Sequence, residues 1–135
     1  MFRVAITADY FDANGAPQFR DSGLEVFDPH PEIQPVAMKE FRSEIGPDQL
    51  DDAQGIITLN AGVTATTLAR SENLLAIARF GVGYEDIDVG ACTQADVLFF
   101  TMAGSVDRSM AEATVGWMIA LSHQYRAKDL AVREG

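Results

Sequence analysis

Three short apolar runs constrain this chain more than any other feature. They are "GIITL" at Gly55 to Leu59, "LLAIARF" at Leu74 to Phe80 and "DVLFFT" at Asp96 to Thr101. Each is shorter than an ordinary helix, and the residues after each carry helix-start signals. Near-continuous apolar strands alternating with helices mark a parallel sheet covered on both faces, because such a strand has no solvent side on which to place polar residues. "FRVAIT", Phe2 to Thr7, reads as a first buried strand. Ile33 to Met38 reads as an edge strand, since Pro35 cannot donate to a ladder. The fold class expected is α/β: a parallel sheet of about five strands flanked by helices.

The helices are placed by their caps and breakers. Gly46-Pro47 interrupts the chain, and Pro47 suits the first turn of a short helix in "PDQLDD". Thr64 is the N-cap expected for a helix over Val63 to Ser71, and Asp88 caps another running to about Ala95. Met110, Thr114, Trp117, Leu121 and Tyr125 keep helical spacing, which predicts one long helix from Asp107 to about Lys128. Residues 18–32 show no clear period beyond room for a helical turn before Asp28-Pro29-His30-Pro31, and Lys39 to Ile45 is amphipathic without a pattern that settles its element. One boundary is suggested, near Ala103-Gly104. It divides a compact lobe, 1–103, from a helical segment, 104–135.

Composition narrows the function classes. With 135 residues, 47% of them hydrophobic, the chain can bury one real core. A formal net charge of −10 argues against nucleic acid or an anionic membrane as partner. An anionic ligand would need a locally favourable site. The single cysteine, Cys92, allows neither an intrachain disulfide nor a zinc cluster. The N-terminus lacks a secretory apolar core. The longest apolar-rich run, Ser109 to Leu121, is too short to span a bilayer and contains Glu112. These features predict a soluble cytoplasmic protein. Asp48, Asp51 and Asp52 read as a solvated helix start and not a metal site, because acids favour that end of the helix dipole.

The chemistry is concentrated in "ARFGVGYEDIDVGAC", Ala78 to Cys92. Gly81-Val82-Gly83 follows a strand at the carboxyl edge of the expected sheet, where ligands of open α/β folds sit. Its backbone N–H groups can form a small concavity for an anion without any basic side chain. A dinucleotide fingerprint would place a third glycine where Asp86 stands, and a helix directly in the loop. From this local pattern a structural turn and an anion seat stand at even odds.

The order of pieces is more telling than the turn alone. The strand, "GVGYEDID", "ACTQADV", a glycine-containing loop and "MAEATVGWMIAL" together resemble the D-isomer-specific 2-hydroxyacid dehydrogenases. The resemblance is good over residues 55–135 and loose over the first fifty. It implies a flavodoxin-like substrate-binding lobe joined by a long helix to a Rossmann domain that binds NAD or NADP. It also implies hydride transfer to or from a small 2-hydroxy or 2-keto acid, and a homodimer. Carried over residue by residue, Val82 and Gly83 become the seat of the substrate carboxylate, and Val82 and Thr114 contact the cofactor. A helix threonine bonded to its own backbone is the bland reading of Thr114.

Three departures accompany the resemblance. Thr101-Met102-Ala103-Gly104 stands where relatives often read Asn-Thr-Pro-Gly. Thr58-Leu59-Asn60 replaces an Arg-Ser-like pair. No Gly-x-Gly-x-x-Gly occurs in the sequence, and the family's catalytic arginine, carboxylate and histidine find no match here. The expectation is therefore a fragment, inactive alone, with His30, His123, Arg79, Arg108 and Cys92 in structural or surface roles. The alternative is a non-catalytic anion-binding or regulatory α/β module. A phospho-accepting receiver is disfavoured: Asp9 supplies only part of its acidic pair, and no lysine follows the fifth strand.

Overall fold

In a computed structural model describing residues 1–135, five strands pair in parallel throughout. They are β1 (Phe2–Ile6), β2 (Ile33–Ala37), β3 (Gly55–Thr58), β4 (Ala76–Arg79) and β5 (Leu98–Thr101). Their order is β2-β1-β3-β4-β5. That is the flavodoxin-like order, and it places a topological switch point between β1 and β3. Pro35 lies on edge strand β2, where its missing donor costs no ladder bond.

The register settles which residues share a face. Ala5 pairs with Ile56, Ile56 with Ile77, and Ile77 with Phe99. This row packs with Val63, Leu68, Ile87, Ala91, Cys92 and Val97 into the principal core. Two short helices belong to that side, α1 (Ala65–Leu68) and α2 (Val89–Gln94). Burying each large aliphatic side chain here contributes about 1.5–3 kcal/mol. Val4 and Ile6 face the other way. On that side Tyr10, Phe19 and Phe80 pack in edge-on and tilted contacts with ring centroids 5.0–5.3 Å apart. The Tyr10 hydroxyl is anchored on the Ser22 carbonyl.

The caps form where expected, but the elements they start are shorter. Thr64 Oγ1 accepts from the Thr66 N–H and Thr67 Oγ1 from the Thr64 N–H, each at 3.1 Å. The helix expected to reach Ser71 nevertheless ends at Leu68. Ala69 and Ser71 bond back three residues, and the Ser71 hydroxyl also takes the Leu68 carbonyl. Asp88 Oδ1 accepts from the Ala91 N–H at 2.8 Å and starts α2. The "PDQLDD" helix is a single 3₁₀ turn, Pro47–Gln49.

Met1–Met102 and Ala103–Gly135 are two compact units. The second consists of α3 (Asp107–Ser122) and α4 (Tyr125–Glu134). The single long helix expected from the spacing is thus divided. Gln124 adopts a left-handed conformation, φ 53° and ψ 41°, and its N–H bonds back to the Leu121 carbonyl. The Ser122 hydroxyl donates to the Ile119 carbonyl, which also receives the His123 N–H. Such back-bonding loosens the last turn of a helix. Apolar spacing continues across the break and cannot register it. No helix is long and apolar enough to cross a membrane.

Candidate functional site: a turn with free N–H groups

Three loops meet at the carboxyl edge of the sheet around the switch point. They follow β1, β3 and β4. Thr7 Oγ1 accepts from the Leu59 N–H at 3.0 Å, and the buried Thr58 hydroxyl donates to the Ala61 carbonyl at 2.6 Å. Asp9 Oδ2 accepts from both the backbone and the side-chain amide of Asn60. The loop after β3 is therefore held by hydroxyl and carboxylate groups from the loop after β1, which places a rigid floor beside β4.

The turn after β4 stands against this floor. The Phe80 N–H donates to the Thr58 carbonyl at 2.8 Å, and the Met102 N–H takes the Gly81 carbonyl at 3.0 Å. The N–H groups of Val82, Gly83 and Tyr84 donate to nothing within the chain. Gly83 and Tyr84 are exposed, and Val82 is 40% exposed. Unpaired, outward N–H groups on consecutive residues are what a carboxylate needs. The glycines are not there for a left-handed backbone, since neither has a positive φ. A Cβ at Gly81 would meet the Arg79 guanidinium at an ordinary 3.5 Å. A Cβ at Gly83 would meet only the mobile end of Glu85, at 2.9 Å. The group nearest this side of Gly83 is therefore the carboxylate end of the Glu85 side chain.

Other candidates fall elsewhere. Thr114 lies in α3, where its hydroxyl donates to the Met110 carbonyl at 2.8 Å and keeps only acceptor capacity. His30 sits at the amino edge of the sheet before β2, 3.2 Å from Glu32, away from the carboxyl-edge turn. His123 ends α3. Arg108 pairs with Glu112 one helical turn on, fully in solvent. Cys92 is 1% exposed, and burial, with the Asp88 carboxylate adding to it, pushes its thiol up. It behaves as a small core residue. Asp48 pairs with Arg42, and Asp51 and Asp52 lie near Arg3. Arg3, Arg42, Asp48 and Asp51 also line a concavity of about 490 Å³ whose apolar wall includes Val36 and Leu50.

Arg79 has a larger role than a strand-end surface residue. Its Nε donates to the Gly83 carbonyl at 3.1 Å. Its Nη1 reaches the carbonyls of Thr58 and Phe80 at 3.4 and 3.5 Å. The sequence offered a signal for this: an arginine two residues before a glycine turn can only fold back on that turn or leave the sheet. The Asp9–Asn60 pair had no such signal, because it depends on β1 and β3 being neighbours, which only the strand order shows.

The chain resembles known proteins in sequence and in fold. Residues 11–131 match the family described as D-isomer specific 2-hydroxyacid dehydrogenase, catalytic domain. The D-3-phosphoglycerate dehydrogenase of Rattus norvegicus is 28% identical over 134 residues, covering 98% of this chain and 24% of the relative. That of Mycobacterium tuberculosis is 33% identical over 102 residues, covering 70% of this chain and 19% of the relative. The chain therefore spans about a quarter of the length of the rat relative. In fold it is similar to the TT0316 protein of Thermus thermophilus, with a TM-score of 0.73 at 16% identity over 99% of this chain and 41% of the other. It is also similar to the NAD+-bound 3-phosphoglycerate dehydrogenase of Entamoeba histolytica, with a TM-score of 0.68 at 22% identity over 88% of this chain and 38% of the other. The family match spans residues 11–131, and the chain belongs to the D-isomer specific 2-hydroxyacid dehydrogenase family.

Proposed function

We propose that this chain is the substrate-binding part of an NAD(P)-dependent oxidoreductase acting on the CH–OH group of small D-2-hydroxy acids. The observation that carries this is the exposed turn whose Val82 and Gly83 N–H groups have no partner in the chain. It lies at the carboxyl edge of the sheet beside the switch point, where α/β folds bind ligands. In this reading those N–H groups hold the substrate carboxylate. They do so with directional hydrogen bonds to an anion, which are stronger than neutral ones. The carboxylate then fixes the adjacent carbinol carbon relative to Val82, whose apolar side chain keeps water from one side of it.

NAD or NADP would accept or supply the hydride. Val82 offers an apolar surface to the nicotinamide, and the Thr114 hydroxyl, its proton already given to Met110, can accept from a cofactor amide. Most of the cofactor's contacts belong to residues other than these 135. Neither the thiol of Cys92 nor His30 is placed to move the substrate proton at the turn. The 135 residues alone therefore bind substrate without turning it over. Residues 1–103 form the binding lobe and 104–135 the connecting helical segment, through which two copies pair.

The test is an amide NMR titration of the isotope-labelled chain with glycolate or D-glycerate at constant ionic strength. The expected result is saturable movement of the Val82 and Gly83 amides, with no NADH formed when NAD is added. Unmoved amides at both positions would remove the seat. The non-catalytic anion-binding module shares the seat. It is favoured if glycolate binds equally well when longer versions of the chain also fail to reduce NAD.

A further inference from the structure

We infer that Arg79 is a positioning residue of the anion seat, and that it adds the Tyr84 N–H as a third donor. This rests on the seat proposed above and goes beyond it. In a planar trans peptide, the C=O of one residue and the N–H of the next point in opposite directions. All peptides in this chain are trans. The Gly83 carbonyl is turned onto Arg79 Nε at 3.1 Å. The Tyr84 N–H is therefore directed away from the guanidinium, and it meets no acceptor in the chain. The Gly81 carbonyl is held in the same way by the Met102 N–H at 3.0 Å, which turns the Val82 N–H away from β5. The two outer peptides of the turn are thus pinned by their carbonyls, and their N–H groups are left to a ligand.

Arg79 is suited to this and not to gripping the substrate itself. Its guanidinium spans the end of β3 and both sides of the turn, reaching the carbonyls of Thr58, Phe80 and Gly83. It also lies flat beneath Gly81, with Cζ 3.5 Å from where a Cβ would stand. A planar fork with fixed donor directions can hold several carbonyls at once, whereas a lysine ammonium on a flexible stem cannot fix their orientation. Arg79 thus acts through the backbone.

Arg79→Lys separates positioning from charge. The full chain and the variant are titrated with glycolate and followed by amide NMR. In the native chain the Val82, Gly83 and Tyr84 amides should all move. In Arg79→Lys the Tyr84 movement should be lost and the affinity should fall about tenfold, the loss of one hydrogen bond to a charged ligand. A lysine variant that binds with native affinity and a moving Tyr84 amide would overturn the inference. If the variant does not fold, the native titration decides alone. Movement at Val82 and Gly83 with a stationary Tyr84 overturns the role of Arg79 and leaves the seat intact. No movement at Val82 or Gly83 overturns the seat itself.

Discussion

Asp9 and Asn60 meet across the switch point: one carboxylate oxygen, Oδ2, accepts from both the backbone and the side-chain amide of Asn60, at 3.0 Å each. The other oxygen, Oδ1, is buried without a partner. The pair ties the first residues past β1 to the first residues past β3, and so sets the floor beside the Gly81-Val82-Gly83 turn. Asp9→Ala removes both bonds to Asn60, which is exposed so that water can take their place, and should cost about 1–1.5 kcal/mol. Asn60→Ala keeps the backbone bond and should cost about 1 kcal/mol. Urea unfolding of both single variants and the double variant checks this. Additive losses would mean that the two residues do not act on each other.

Two glycines separate a structural turn from a ligand seat. A Cβ at Gly62 would stand 2.8 Å from the Asp86 backbone carbonyl and 3.4 Å from that of Ser43, neither of which can step aside. Gly62 also bonds the Ser43 carbonyl and receives the Ile45 N–H. Gly62→Ala should therefore destabilise by about 1–3 kcal/mol, as overpacking does. At Gly83 only the flexible end of Glu85 is in the way, so Gly83→Ala should change stability by no more than about 0.5 kcal/mol. Its added methyl crowds the turn that carries the free N–H groups, so glycolate binding should weaken. Thermal melts and the amide titration, run on both variants, read the two effects separately. A Gly83→Ala chain that binds glycolate with native affinity would place the ligand elsewhere.

Much of this architecture was legible because local chemistry and global fold agree. The apolar runs give β1, β3, β4 and β5, Pro35 gives the edge, and Thr64 and Asp88 cap α1 and α2. The turn at Gly81 to Gly83 was legible through its place after a buried strand. What was not legible depends on strand order and on backbone direction. Nothing in the residues of β1 and β3 says that they are neighbours, so the Asp9–Asn60 pair emerges only with the sheet. The role of Arg79 depends on which way three carbonyls point. The break at Gln124 was hidden because apolar spacing is a property of side chains, while the break is a backbone event.

Cys92 gives the lobe an alkaline limit. Burial raises its thiol above the ordinary range, and the Asp88 carboxylate adds to that. As pH rises past about 8.5, the unfolded chain releases this proton while the folded chain keeps it. The unfolded state then binds fewer protons, so stability falls with further increase in pH. The contribution is complete below the unfolded value and is lost as pH climbs towards the folded one. Tyr10 is raised as well, by burial and then by Glu25, but its unfolded value near 10 separates the two. Melts of the native chain between about pH 8 and 9.5 should show a falling midpoint, and Cys92→Ala should flatten that slope. An equal slope in both chains would assign the effect to other groups.

The last prediction concerns α3. Met110, Val115, Trp117, Met118, Ile119 and Leu121 are all exposed, and at helical spacing they spread around more than one face. A helix apolar on several sides is stable only when covered. Within its own unit, α4 begins after the left-handed Gln124 and leaves Trp117 69% exposed. If two copies pair through this helix, as proposed, burying one tryptophan side chain against the other copy is a large share of the association energy. Trp117→Glu would then place a charge in that contact. Sedimentation of the native chain at micromolar concentration should give a dimer with blue-shifted tryptophan emission, and Trp117→Glu should give a monomer with an unchanged sheet by far-UV dichroism. A native chain that sediments as a monomer with solvent-like tryptophan emission would refute pairing through α3, while leaving the seat on the other unit untouched.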